Sequence, residues 1–576
     1  MPNRRDFLNT LAAASLGVSS GAWNKSLGAF ASQQSAAQRD QAQIDTRPPA
    51  ATANNAMLVA TTAPEAIKEG VALLQAGGSA ADAVLSTALA QIALCAGCWV
   101  SYAGRMTAVY FNAADGSVHA LNACYDAPRE EDDPLSIPRS GTPSGRATLV
   151  PGFMAGVEAL HQRFGKLDVE RVFAKAIDLA EQGFPLSRNL ASLIRDKSQV
   201  LTRFAGGRSV FLKPDDSLVS QGDHFRQPEL AATLRGVVSD GAEFCYTGKW
   251  GRNFVAAVRE AGGKISLEDM EKYEPTWSEP LRTRIAGNDV LTLPEPNRGG
   301  PMTCMALNLA EAARLNEHPP YSQSADALAS VVRIEQAVRI AASPRGRALL
   351  AERLKREEFT LEECADAELC QQLWNEINGQ DWDAWWRELN GLPMPKPSEH
   401  SDAVVAVDEA GNVAAILHTI NTAGWGTTGL FVDGVSIPDS AAGQQQAVAN
   451  AGPGGRIADH GPPLIVTRDD KPVLASSATG SGNVNASWQC VLNCLANGLS
   501  PQQAADQPRF YQGQFQAPEL DAQLLEEIQQ RGVIATTIES FGGFQMGFWA
   551  GLSIDRDPRV IRGGKIRRLN GLAIGY

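Results

Sequence analysis

At 576 residues the chain is too long for an ordinary compact domain, unless it is one of the large mixed helix-and-sheet types. Its 44% hydrophobic and 20% charged residues are ordinary for a globular protein. A formal net charge of -13, with no Lys/Arg run and no aromatic-basic interleaving, argues against a nucleic-acid or anionic-membrane partner.

Residues 1–31 read as an export signal rather than as fold. Asn3-Arg4-Arg5-Asp6-Phe7-Leu8 has the form of a twin-arginine motif, and an apolar stretch runs from Leu11 to Val18. Ala29-Phe30-Ala31 then fits a cleavage site, which predicts a mature start near Ser32 and a periplasmic protein. Residues 32–54, rich in Gln, Ala and Asp, are expected to be a disordered leader. No stretch reaches the ~18 uninterrupted apolar residues that a membrane span needs.

The pattern Pro64 to Ala76 is helical and stops at Gly77-Gly78. Ser79 is a suitable N-cap for a second helix running to about Cys95. Cys95-x-x-Cys98 has no second pair and no following His, so its apolar neighbours point to plain buried cysteines. The chain holds nine cysteines, so at least one is unpaired. Residues 106–111 and 117–122 alternate around Ala114-Asp115-Gly116, which predicts a hairpin. From 151 to about 360 the pattern is mostly helical, with loops expected near 207–225 and 292–301. Trp374, Trp382, Trp385 and Trp386 follow in a polar context, then the Pro-rich, extended segment 392–400.

After His400 the texture changes. Ser401 to Asp408 reads as a strand, Glu409-Ala410-Gly411 as a turn, and Asn412 to Asn421 as a second strand. Pairing Val407 with Val413 puts Ser401 opposite Thr419, and a slip of two residues would keep the same face. Opposed residues in such a pair have Cβ atoms ~4.5–5.5 Å apart. Two hydroxyls therefore sit together at the head of a strand.

No P-loop, HExxH or EF-hand loop is present, and the one GxSxG, Gly17 to Gly21, falls in the export signal. No metal or other cofactor is expected. A hydroxyl at a strand head suits a different chemistry. If the chain is cut just before it, the new α-amine, with a pKa near ~7.7–8.0, becomes its general base.

Several segments carry a specific resemblance. They are Pro151-Gly152-Phe153-Met154-Ala155-Gly156 with Phe164-Gly165, Gln227-Pro228-Glu229-Leu230, and Ile265-Ser266-Leu267-Glu268-Asp269. Pro294 to Gly300, Pro508-Arg509-Phe510 and the terminal Gly571 to Tyr576 complete them, in the family's order. From about residue 55 to Tyr576 the chain resembles the gamma-glutamyltranspeptidases. That resemblance implies an α+β fold, the four-layer αββα sandwich of N-terminal-nucleophile hydrolases. It also implies self-cleavage between His400 and Ser401 into a large subunit, 55–400, and a small subunit, 401–576. A small amide or peptide is the implied substrate. The family's nucleophilic Thr corresponds to Ser401, its downstream Thr-x-Asn to Thr419 and Asn421, and its oxyanion-hole Gly-Gly to Gly480-Ser481.

The pocket departs from the family's pattern. Cys124 stands where an Arg should hold the glutamyl α-carboxylate, and Arg105 is the nearest replacement charge. The Asp for the α-amine falls near Ala442 or Gly443, and the paired serines fall at Asp459 and His460. Asp459 and His460 either line a new substrate site, with Asp459 a candidate acidic replacement, or are plain loop residues; Asp402 is expected to be a solvated turn carboxylate, with a part in processing as the alternative. The chemistry is therefore expected to be kept and glutamyl recognition altered. Two other readings stand beside this one: a glutathione-type transferase with rebuilt anchors, and an unprocessed binding or maturation protein.

Overall fold

The computed structural model describes residues 51–379, 381–389, 401–511, 513–516, 520–533, 535–538, 547–567 and 569–576. The export signal, most of the leader, and the segment ending at His400 lie outside the described residues.

The first strands are β1 (Ala51–Ala53) and β2 (Met57–Ala60). Helix α1 (Pro64–Gln75) begins on Pro64, whose missing N–H costs nothing in a first turn. Helix α2 (Ala80–Leu94) starts in a capping box, in which Ser79 and Asp82 satisfy each other's backbone N–H groups. Strands β3 (Arg105–Phe111) and β4 (Val118–Ala123) form the expected hairpin. Then come β5 (Thr276–Ser278), β6 (Leu281–Ile285), β7 (Asn288–Thr292) and helix α3 (Gly299–Ala312). The C-terminal part contributes β8 (Asp402–Val407), β9 (Val413–Thr419), β10 (Leu464–Arg468) and β11 (Lys471–Thr479). Helix α4 (Asn483–Leu495) and strands β12 (Phe548–Arg556), β13 (Arg559–Lys565) and β14 (Leu572–Gly575) end the chain.

Two seven-stranded sheets result, in the orders β14-β2-β8-β9-β3-β4-β5 and β1-β13-β12-β11-β10-β7-β6. Every pairing within them is antiparallel. Strand alternation decides what each face buries. Val405 and Val407 of β8 meet Ile465, Ala475 and Leu552 of the other sheet. Val404 and Ala406 turn the other way, onto Ile67, Leu73, Leu85 and Leu89 of α1 and α2. Beyond the second sheet, Val290, Leu464 and Leu474 pack under Leu307, Leu309 and Trp488 of α3 and α4. The order helix, sheet, sheet, helix is the four-layer α+β arrangement.

Three expectations change. The region 151–360 is less helical than its pattern, because β5, β6 and β7 run through 276–292. The loop placed at 207–225 begins in a helix, Ala205–Phe211, and the one at 292–301 ends in α3. The leader stops short of residue 54: Ala51–Ala53 pair with Ile561 to Gly563.

Candidate active site

Strands β8 and β9 pair in the expected register, with Val407 opposite Val413 and Asp402 opposite His418. One step further, the Ser401 hydroxyl donates to Thr419 Oγ1 at 2.7 Å. Thr419 Oγ1 also accepts from the backbone N–H of Asn421 at 3.1 Å. Thr419 in turn opposes Arg105 on β3, and Met106 opposes Ala123, which places Cys124 beside Arg105. Ser401, Thr419, Arg105 and Cys124 thus form one row across four strands. By strand alternation the row shares the face of Val405 and Val407, which looks toward the second sheet. Gly104 permits the close approach: a Cβ there would lie 2.8 Å from the Thr419 carbonyl oxygen.

Arg105 does not reach into an open pocket. Its guanidinium is gripped by Asp459, with Nη1 to Oδ2 at 2.5 Å and Nη2 against Oδ1. The two side chains are only 4% and 2% exposed. Asn297 Nδ2 adds a contact to Asp459 Oδ2 at 3.3 Å. The two charges expected as separate anchors for a substrate carboxylate and a substrate amine instead neutralise each other. Cys124 Sγ lies 3.9 Å from Arg105 Nη1. Burial, helped by Asp459, pushes its thiol up to about 12, so it stays a thiol at neutral pH. His460 is exposed, and its backbone N–H donates to Asp459 Oδ1 at 2.6 Å.

Asn421 sits at a φ of 60°, a left-handed position that Asn tolerates better than most residues. Its Nδ2 donates to Gln444 Oε1 at 3.0 Å, and its Oδ1 faces Arg105 Nη2 at 3.4 Å. No acid stands at Ala442 or Gly443. The buried carboxylate of this loop is Asp439, which accepts from Thr422 Oγ1 at 2.7 Å and from Thr427 N and Oγ1 at 3.0 and 2.6 Å. Sequence reasoning missed it; the signal was an Asp closing the apolar strand Val435–Ile437, behind two threonines. Gly480 and Ser481 follow β11 directly and precede α4, and Gly480 has a φ of 79° that favours glycine. Strand β11 belongs to the sheet stacked on β8 and β9, with Ala475 against their Val405 layer.

Asp402 overturns its expectation. It is fully buried, not solvated, and burial pushes its carboxyl up to about 6 against the pull of three hydrogen-bond donors. A lone Asp beside a predicted strand head looks like a turn residue. Only the packing of the 61–62 bend and Trp99 over it closes the water out.

Comparison with known proteins bears on this arrangement. The family profile described as Gamma-glutamyltranspeptidase matches residues 66–563. The glutathione hydrolase proenzyme of Bacillus subtilis (strain 168) is 24% identical over 563 residues, spanning 90% of this chain and 91% of the relative. Acylase ACY 1 proenzyme of Pseudomonas sp. (strain SE83) is 26% identical over 485 residues, spanning 79% and 82%. The crystal structure of the cephalosporin acylase from Bacillus halodurans superposes with a TM-score of 0.74 at 22% identity, covering 92% of this chain and 97% of that one. That likeness establishes a shared fold.

Proposed function

The chain belongs to the gamma-glutamyltranspeptidase family, and on that premise we propose an exported, self-processing amide hydrolase or acyltransferase with Ser401 as its nucleophile. The observation that carries this is the 2.7 Å hydrogen bond from Ser401 to Thr419 at the head of β8. In processing, Ser401 Oγ attacks the His400 carbonyl carbon, the C–N bond breaks, and the resulting ester is hydrolysed by water. The freed α-amine then takes the Ser401 proton during attack on a substrate amide and passes it to the leaving amine. Thr419 Oγ1 orients the hydroxyl. The N–H groups of Gly480 and Ser481 are the proposed donors to the tetrahedral oxyanion.

The acyl group we propose is not a standard γ-glutamyl group. A free amino-acid head carries two charges, and both must be paired on entering a buried pocket. Arg105 is already paired with Asp459, and Cys124 offers no charge at neutral pH. An acyl donor without an α-carboxylate suits this row better than glutathione does. Twin-arginine export to the periplasm is proposed from Arg4-Arg5 and Ala29-Phe30-Ala31. Among the described residues no helix is long and apolar enough to cross a membrane.

The test is gel electrophoresis of purified protein with N-terminal sequencing. Two fragments, the smaller beginning at Ser401, are expected, and Ser401→Ala should stay one chain. Cleavage of Ser401→Ala at the same junction would end the self-processing claim. A single inactive chain from the parent would favour a binding protein instead.

A further inference from the structure

The bond ahead of Ser401 is the one proposed to break, so residue 401 becomes a chain terminus at the moment it must be held most accurately. Chain termini fray unless something ties them. The regular ladder cannot do this alone. The pairing of β8 with β2 begins only at Val404 opposite Ala60. Ahead of it the β9 ladder still pairs Asp402 and Ala403, with His418 and Leu417, and on the β2 side Thr61 takes over through its backbone and its hydroxyl. Thr61 Oγ1 accepts from Ala403 N at 3.1 Å, while Thr61 N donates to Ala403 O at 3.1 Å. Asp402 supplies the rest. Its Oδ1 accepts from Thr61 Oγ1 at 3.1 Å and Thr62 Oγ1 at 2.7 Å, and its Oδ2 accepts from Trp99 Nε1 at 2.9 Å. The Trp99 carbonyl accepts from Ile420 N at 3.3 Å, within the segment that carries Thr419 and Asn421. One carboxylate therefore joins both halves of the Ser401–Thr419 pair to the same two anchors.

We propose that Asp402 is a positioning residue, whose carboxylate fastens the freed N-terminus so that Ser401 keeps its hydroxyl on Thr419 and its α-amine beside that hydroxyl. The inference rests on Ser401 being the nucleophile. A charged carboxylate accepts all three donors; a protonated one carries its own O–H and loses acceptor capacity. The fastening thus weakens as Asp402 gains a proton, and its carboxyl is pushed up to about 6. The other titratable groups facing it keep one state through this range. Burial pushes the Cys95 thiol, at the end of α2, up to about 12. His418, across the strand pair, is linked through Gln91, which contacts Thr62 Oγ1 at 3.3 Å and His418 Nε2 at 2.9 Å. Burial lowers His418 to about 3, so it stays neutral. The remaining group is the α-amine of Ser401, which titrates near ~7.7–8.0 when unperturbed.

Two protons therefore act at separate pH values, and both can be read without knowing the substrate. Phenylmethanesulfonyl fluoride sulfonylates a reactive serine hydroxyl with loss of fluoride, and intact mass of the small subunit follows the rate. Below the amine's pKa the logarithm of the rate should fall by one per pH unit. Below about pH 6 the fall should steepen to roughly two, as Asp402 also gains a proton. In Asp402→Asn the second steepening should vanish, and the rate at pH 7.5 should drop ~10-fold or more, a loss of positioning by a tightly held pair. Trp99→Phe keeps an aromatic ring and removes one donor to the carboxylate. It should move the second break upward by ~0.5–1 pH unit, since that donor favours the charged form. A second break that persists in Asp402→Asn, or stays in place in Trp99→Phe, overturns the proposal. If Asp402→Asn does not fold or mature, the Trp99→Phe shift decides alone. Ser401→Ala separates this failure from the other: sulfonylation of the Ser401→Ala protein at the parent rate would remove Ser401 itself as the nucleophile.

Discussion

Replacing Asp459 by serine releases Arg105 while leaving the site polar. The pair is buried, its side chains 4% and 2% exposed, and it closes through two oxygen–nitrogen contacts. Without Asp459, Arg105 keeps only Asn421 Oδ1 at 3.4 Å and Cys124 Sγ at 3.9 Å. Both are too long to offset a buried charge, and breaking one side of such a pair costs ~3–5 kcal/mol. Asp459→Ser should therefore unfold several degrees below the parent. Arg105→Met combined with Asp459→Leu should recover most of that loss, because a buried pair replaced by apolar groups of similar volume is often neutral. The same free guanidinium can take a substrate α-carboxylate through a charge-assisted hydrogen bond worth ~1.5–3 kcal/mol, or ~10- to 150-fold in relative binding. The assay is the ratio of kcat/KM for γ-glutamyl-p-nitroanilide to that for γ-aminobutyryl-p-nitroanilide, which lacks the carboxylate. A parent ratio at or below unity should rise ~10- to 150-fold in Asp459→Ser. A folded, processed Asp459→Ser with an unchanged ratio would refute the claim that Asp459 occupies the carboxylate anchor. So would a parent that already prefers the glutamyl anilide by roughly two decades.

Thr419→Val removes the acceptor of both the Ser401 hydroxyl and the Asn421 N–H. At ~1 kcal/mol for each net hydrogen bond, Ser401 sulfonylation should slow ~5- to 30-fold, and Thr419→Ser should restore it to within about threefold. Gly480→Ala keeps the N–H but forces a side chain onto a φ of 79°. That strain of ~1–2 kcal/mol should lower kcat ~5- to 30-fold, measured on the best amide of an acyl panel; a change below twofold would leave Gly480 without a catalytic part. Proline there is a poorer probe, since its φ is fixed near about −65° and the turn itself would be lost.

The hairpin was legible because it is local. Alternation in Ser401 to Asp408 and in Asn412 to Asn421, with a glycine-containing turn between, narrows the register to one pairing and its two-residue slips. The observed pairing of Val407 with Val413 is that one. The first two helices were legible for the same reason, their caps being written at Pro64 and Ser79. What the sequence hid depends on contacts far apart in the chain. Asp402 is buried by Thr61, Thr62 and Trp99, more than three hundred residues before it. Arg105 and Asp459 meet across 354 positions. Strands β6 and β7 pass as part of a helical stretch because Arg282 and Arg284 alternate with Leu281, Thr283 and Ile285 over only five residues. That is too short a run to stand out among helices on both sides.

With Ser401 as the proposed nucleophile, the row Ser401, Thr419, Arg105 and Cys124 lets catalysis and recognition change separately. Ser401 and Thr419 meet because backbone pairing sets their register, and any sequence that keeps the pairing of β8 with β9 keeps that contact. Recognition depends on which side chains occupy the neighbouring strands. On β3 the row carries a cation, and a thiol follows the end of β4 beside it. The segment before β10 then delivers Asp459 onto the cation. Exchanging charges among these positions moves no strand, so the cost falls on the pocket and not on the sheet. A relative about a quarter identical over most of its length can therefore share the sheets while differing in what its row binds. Asp402 lies on the opposite face of the same strand, under the helices, and is insulated from such exchanges. Its link to Ser401 runs through one backbone step, which the pocket's side chains do not touch.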